Sequence, residues 1–126
     1  MTDLNNLMYS SEHEWVATDG DVATVGVTDY AVEQLGDIVY VDMPAVGSEV
    51  TAGEVMGEIE STKSVSELYA PVSGEVVETN SDADADPDLV GTDPFGDGWL
   101  IRVRVSGPSD GLLDRVAYVA LTGGAA

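Results

Sequence analysis

The chain contains one lysine in 126 residues, Lys63, flanked by Ser61 and Thr62 on one side and Ser64 on the other. A lysine at such a place is ordinarily a solvated turn residue. Here lysine has been all but eliminated, so the survivor needs a chemical reason. An amine can act as a nucleophile or serve as a point of attachment. Nucleophilic chemistry requires a lowered pKa, which burial or a neighbouring cation supplies. Glu58, Glu60 and Glu67 are its near neighbours instead, and carboxylates favour the charged, unreactive ammonium. Attachment requires an exposed amine on a rigid projection with small neighbours, and Ser61, Thr62 and Ser64 supply the clearance. Attachment is the better reading.

The elements that must hold this lysine follow from the surrounding pattern. Residues 54–61 and 64–70 read as two strands joined at Thr62-Lys63, with Pro71 closing the second. Before them, residues 14–26 read as a hairpin turning at Asp19-Gly20, a pair suited to a type I′ turn. Thr28 is placed to cap a short helix, with Asp29 in its first turn and Gly36 at its end. Residues 37–42 look like a buried strand, punctuated by Pro44 and Gly47. Residues 75–79 form another strand, and Gly47-Ser48-Glu49-Val50 is echoed in Ser73-Gly74-Glu75-Val76, a hint of quasi-symmetric halves. From 99 to 105 the chain alternates: Trp99, Ile101, Val103 and Val105 face one way, Leu100, Arg102 and Arg104 the other. Ser109 is a candidate cap for a last helix at about 110–122 with Leu112, Val116, Val119 and Ala120 on one face, ended by Gly123-Gly124. Many short strands and few helices predict an all-β single domain, residues 1–126, built from two packed antiparallel sheets with peripheral helices.

Composition narrows the class of function. Twenty-four acidic residues against four basic ones give a net charge of −20, while 44% of the residues are hydrophobic. That apolar content separates the chain from acidic disordered sequences. So negative a field repels phosphate backbones and anionic lipid, which argues against nucleic-acid and membrane-surface partners. Scattered carboxylates with almost no lysine resemble the surfaces of proteins from salt-loving archaea, where salt screens self-repulsion. The absence of cysteine excludes disulfides, thiolate metal sites and cysteine nucleophiles. The N-terminus lacks the form of a signal peptide and no apolar run is long enough to span a bilayer, so a soluble, cytoplasmic protein is expected.

At the lysine hairpin the sequence resembles a known family. GEIESTKSVSELYAPVSGEVVETN is similar to the lipoyl-lysine hairpin of glycine cleavage H proteins. So are SEHEW near the start, VGVTDYAVEQLGDIVYVDMP in the middle and DPFGDGWLIRVRV later, in order over about residues 9–105. The hairpin alone suits any lipoyl domain, whereas its combination with SEHEW and TDYAVEQLGDIVYV points to the H protein. Biotin carriers usually set methionines beside their lysine; Thr62 and Ser64 stand there in this chain.

The resemblance implies a flattened β-sandwich or barrel-sandwich hybrid with Lys63 at a hairpin tip bearing covalent lipoic acid. It implies a non-catalytic carrier, serving a glycine decarboxylase (P protein), an aminomethyltransferase (T protein) and a dihydrolipoamide dehydrogenase (L protein), modified by a lipoate-attaching enzyme and acting as a monomer. The arm takes an aminomethyl group from the first and presents it to the second, and the third reoxidises its dithiol. Covalent attachment raises the arm's effective concentration at docked partners. A loaded arm is expected to fold into a surface cleft whose carboxylates meet its cationic amine. Glu14 and Glu67 are the candidates, together with Glu12, where the family commonly has a small residue.

Other features carry less chemistry. His13, the sole histidine, reads as an ordinary structural or surface residue. Asp82, Asp84, Asp86, Asp88 and Asp93 approach calcium-loop spacing, but Pro87 stands where that loop needs glycine, so a solvated acidic loop leading into a helical turn is expected. Arg102 and Arg104 are expected to pair with carboxylates. Two alternatives stay open at this point: a lipoyl carrier of another kind, either a lipoyl-relay H-like protein or a domain serving 2-oxoacid dehydrogenases, and a calcium-binding structural module in which Lys63 is incidental.

Overall fold

In the computed structural model, residues 7–106 and 112–122 are described, and they form two antiparallel sheets sharing one core. The chain enters through β1 (Met8–Tyr9) and the hairpin of β2 (Glu14–Asp19) and β3 (Val22–Val27). Asp19 pairs with Val22, so the two central turn residues are Gly20 and Asp21. Only Gly20 has positive φ (65°), the pattern of a type II′ rather than the expected type I′ turn: glycine is needed at the first position alone. Trp15 pairs across the strands with Gly26, where a Cβ would lie 2.5 Å from the indole nitrogen. Glycine there lets the indole lie flat on β3 and donate to the Pro94 carbonyl at 2.8 Å.

α1 (Asp29–Leu35) begins at Thr28, whose side chain accepts from the Ala31 N–H, and ends at Gly36 (φ 83°), as expected. β4 (Ile38–Asp42) is not the buried strand its apolar content suggested. It forms one edge of the smaller sheet, bulges between Ile38 and Tyr40, and leaves Val39 and Tyr40 about half exposed. After β5 (Glu49–Val50), the hairpin of β6 (Val55–Ser61) and β7 (Val65–Tyr69) completes that sheet in the order β4-β6-β7. β8 (Gly74–Thr79) pairs antiparallel with β5, Glu49 opposite Glu75 and Val50 opposite Gly74. The two echoed tetrapeptides are thus strand partners.

The acidic stretch is more ordered than the expected loop: Asn80 caps α2 (Ser81–Ala85), and α3 (Asp88–Thr92) follows. Asp82, Asp84, Asp86 and Asp88 are exposed, and Asp93 accepts the Asp97 N–H instead of facing them across a loop. β9 (Ile101–Val105) joins β3 to β8, giving the larger sheet the order β1-β2-β3-β9-β8-β5. The expected alternation holds within this strand but breaks at its start. Leu100 enters the core, while Trp99 turns out beneath the Arg102 guanidinium, 4.2 Å from the ring centroid. The break follows from hydrogen bonding before the strand, where Leu100 donates to Val25 and the Asn80 side chain takes the Trp99 carbonyl. Arg102 pairs with Glu78 at 2.7 Å, and Arg104 reaches Asp21 and Glu75 at 3.9 Å.

The last helix, α4 (Arg115–Leu121), starts later than about 110, because Asp114 caps it by accepting the Ala117 N–H. Ser109 and Gly123-Gly124 lie outside the described residues. Its buried residue is Tyr118, whereas Val116 is 78% exposed, so the expected aliphatic face is not the one that docks. The Tyr118 ring buries more apolar area than a valine; it stacks on Tyr9 at 4.8 Å within a cluster that includes Leu7 and Trp15.

Candidate functional site

The β6–β7 hairpin ends in four residues, Ser61 to Ser64. Ser61 donates its N–H to the Ser64 carbonyl at 2.8 Å, and its hydroxyl donates to the same carbonyl and accepts the N–H groups of Lys63 and Ser64. One buried serine side chain therefore holds the tip in shape, the work a glycine-containing turn would otherwise do. Thr62 donates its N–H to the Asp37 carbonyl at 3.0 Å, tying the tip to the chain just past α1. Lys63 is exposed, and its methylenes lie over Gly36: a Cβ at Gly36 would stand 3.4 Å from Lys63 Cε.

Beside α1 lies a cleft of about 390 Å³. One wall is α1, through Tyr30, Ala31, Gln34 and Leu35; the other is β7, through Ser66 to Tyr69. Val27 and Ile59 line it deeper, and Glu12, His13 and Glu14 close the far end. The structure thus brings the three candidate carboxylates, Glu12, Glu14 and Glu67, to one cleft. Lys63 is not among its lining residues and stands beyond it, past the C-terminal end of α1.

The three carboxylates differ in setting. Glu12 and Glu67 are exposed, and Glu67 accepts the Tyr69 hydroxyl at 3.4 Å. Glu14 is 1% exposed. Its carboxyl takes the Ser10 hydroxyl at 2.5 Å and the Tyr69 N–H at 3.2 Å, and it has no salt-bridge partner among the described residues. Burial pushes its pKa from the usual 4.5 to about 8; the Ser10 and Tyr69 hydrogen bonds work against the rise and the Glu12 charge adds to it. Burial therefore keeps Glu14 largely protonated at neutral pH.

His13 occupies the left-handed backbone region (φ 75°), an uncommon place for a side-chain-bearing residue. Its ring packs against Tyr30, centroids 4.9 Å apart, and Nδ1 lies 2.8 Å from the Tyr118 hydroxyl. Burial lowers its pKa, partly offset by Glu12. Sequence reasoning missed the α1 wall and Tyr118. The first was available as the helical spacing of Tyr30-Gln34 and Ala31-Leu35, one turn apart on the same face; nothing local marked the second. Among the described residues no group of three or more carboxylates or histidines is placed to hold a metal ion.

Comparisons with known proteins agree on one family. The model of the family described as Glycine cleavage H-protein matches residues 7–122. A glycine cleavage system H protein of Clavibacter sepedonicus is 58% identical over 98% of this chain and 99% of its own. One from Thermobifida fusca is 58% identical over 94% of each. A crystal structure of a glycine cleavage system H protein from Mycobacterium marinum superposes with a TM-score of 0.89 at 44% identity, covering 94% of this chain and 98% of that one. These relatives are bacterial and lend no support to the archaeal source suggested by the acidic surface.

The setting of Glu14 makes a prediction about stability. Its folded pKa lies above the unfolded value, so its contribution is fully present below about pH 4.5 and is lost as pH rises through about 8. Urea unfolding at pH 5 and pH 8.5 will show the wild-type chain losing at least about 2 kcal/mol relative to Glu14→Gln, which cannot ionise. Parallel pH profiles for the two would contradict the raised pKa.

Proposed function

The chain belongs to the glycine cleavage H-protein family and is a lipoyl carrier of the glycine cleavage system, not itself catalytic; from that premise we propose that Lys63 carries the lipoyl group and that the cleft between α1 and β7 receives the loaded arm. The observation that carries this reading is the tip itself: the one lysine of the chain, exposed, on a four-residue turn held by Ser61 and pinned by Thr62 to Asp37. Gly36 fits the attachment: its φ of 83° ends α1 there, and the lysine methylenes lie against it.

The lipoyl group supplies the dithiol on which an aminomethyl group is carried. The protein does the rest by shape and charge. Leu35, Ile59 and Leu68 line the cleft and exclude water from a bond that water would hydrolyse. Glu14 faces the cationic amine at the buried end, with Glu67 and Glu12 adding negative charge at the rim. Glu14 gives up its proton to solvent as the ammonium seats, and no residue of the chain transfers a proton to or from the carried group.

This role calls for a glycine decarboxylase (P protein), an aminomethyltransferase (T protein) and a dihydrolipoamide dehydrogenase (L protein) as successive partners, and for a lipoate-attaching enzyme that recognises the tip. The reading is of a monomer in the cytoplasm, since a carrier visiting three enzymes gains nothing from burying its faces in a permanent assembly. A net charge of −20 disfavours nucleic acid and anionic membrane as partners. We read the same charge as an adaptation to high salt.

Two measurements check these proposals. Peptide mass spectrometry of protein from its own host, grown on glycine, is expected to find a lipoyl adduct on Lys63; a bare Lys63 in cells whose other lipoyl proteins are modified would overturn the carrier site. The melting temperature is expected to fall when molar salt is replaced by dilute buffer, as unscreened carboxylates repel one another. An unchanged value would count against salt adaptation.

A further inference from the structure

Tyr118 links the last helix to both ends of the structure that forms the far wall of the cleft. Its hydroxyl lies 2.7 Å from Thr28 Oγ1, the cap of α1, and 2.8 Å from His13 Nδ1. Tyr118 and Thr28 are 1% and 0% exposed, so every proton in this chain of contacts needs a partner inside the protein. Thr28 Oγ1 already accepts the Ala31 N–H. Its own proton has one acceptor among the described residues, the Tyr118 oxygen. The Tyr118 proton then has only His13 Nδ1 to go to. The reverse order would make His13 Nδ1 the donor and leave the buried Thr28 proton with no acceptor, a cost of about 1–3 kcal/mol.

With Nδ1 accepting, the proton of the neutral imidazole sits on Nε2. No hydrogen-bond partner for Nε2 exists among the described residues, and it is not sealed away: Arg115 Nη1 is the one side-chain nitrogen or oxygen there that is both buried and unpartnered. His13 is half-buried and lines the cleft. Its backbone is fixed as well, since its N–H donates to Ser10 and its carbonyl accepts from Thr28. These bonds hold it in the left-handed conformation that aims the ring.

Position along the cleft says what this donor would meet. Lys63 lies against Gly36, past the C-terminal end of α1, whereas His13 and Thr28 stand at its N-terminal end. Seven helical residues separate these ends by about 10 Å. The attached amide therefore lies near Gly36, and the sulfur-bearing end of an octanoyl-length arm arrives at His13 and Glu14. The carboxyl there suits the amine. A neutral N–H donor suits the other group at that end, a sulfur, and most of all a thiolate.

We propose that Thr28 and Tyr118 hold His13 as its Nε2–H tautomer, and that this N–H is the cleft's hydrogen-bond donor to the free sulfur of the seated arm, a role that rests on lipoylation at Lys63. Tyr118 is then a positioning residue, and the C-terminal helix has a function in the cleft it does not line.

The tautomer is testable on the unlipoylated chain by nitrogen-15 NMR of the imidazole at neutral pH. The expected result is a pyrrole-type Nε2 and a pyridine-type Nδ1. Tyr118→Phe should shift both resonances toward the average of two tautomers, while Thr28→Ser, which keeps the hydroxyl, should leave them in place. An Nδ1–H tautomer in the wild-type chain, or unchanged resonances in folded Tyr118→Phe, would overturn the proposal; the wild-type spectrum decides the tautomer even if a variant fails to fold. In lipoylated protein with the arm reduced and aminomethylated, the Nε2 proton should move downfield. An unmoved signal on a chain that mass spectrometry shows to be modified at Lys63 would overturn the sulfur contact and leave the lipoyl reading standing; an unmodifiable Lys63 would end both.

Discussion

The arrangement depends on one backbone hydrogen bond, from Thr62 N–H to the Asp37 carbonyl. It joins two elements far apart in sequence, the tip of the β6–β7 hairpin and the segment leaving α1. With that bond made, the tip is tied beside the end of α1; the Lys63 methylenes lie over Gly36, and the preceding residue, Leu35, lines the cleft between α1 and β7. The hairpin register serves the same purpose. Ile59 and Leu68 face inward while Glu58, Glu60 and Glu67 face outward, and a slip of one residue would exchange the two sets. On the proposed reading, the exposed lysine and the sheltered destination of what it carries are held at a fixed separation by this contact.

Charge is handled in two opposite ways. Over most of the surface carboxylates are exposed, and the few arginines each find a carboxylate, Arg102 with Glu78, Arg104 with Asp21 and Glu75, Arg115 with Asp29. The exposed pairs of Arg102 and Arg104 contribute little stability, whereas the Arg115 side chain is the more sheltered. Glu14 is the exception, taken out of water with a hydroxyl and an amide for company and no cation. Burial raises its pKa to about 8, a setting suited to a positive guest, and on the proposed reading the arm's ammonium supplies the missing countercharge.

How much of this could be read from the sequence varies with the range of the signal. Thr28, Gly36 and the lysine hairpin carry their meaning within a few residues, and they stand where expected. The turn at Gly20 sits one position past the expected Asp19-Gly20 because Asp19-Gly20 and Gly20-Asp21 are both good turn pairs, and only the register of Asp19 with Val22 separates them. Trp99 and Leu100 exchanged faces because alternation describes a strand, not the residues held by other bonds before it. Val116 gave way to Tyr118 because a short helix docks through whatever the opposing surface accepts, here the Tyr9 ring. Glu14, Glu12 and Glu67 came from resemblance, and their meeting in one cleft is a tertiary fact. That Glu14 is buried and the other two are exposed had no local signal.

The central claim is that the arm on Lys63 seats between α1 and β7 with its amine at Glu14. The most direct measurement is NMR of lipoylated protein loaded with a carbon-13-labelled aminomethyl group. Nuclear Overhauser contacts from that group to His13, Tyr30 and Tyr69, with exchange-broadened or restricted lines, are the predicted result. Sharp lines typical of a freely tumbling chain, with no contact to these residues, would contradict the account.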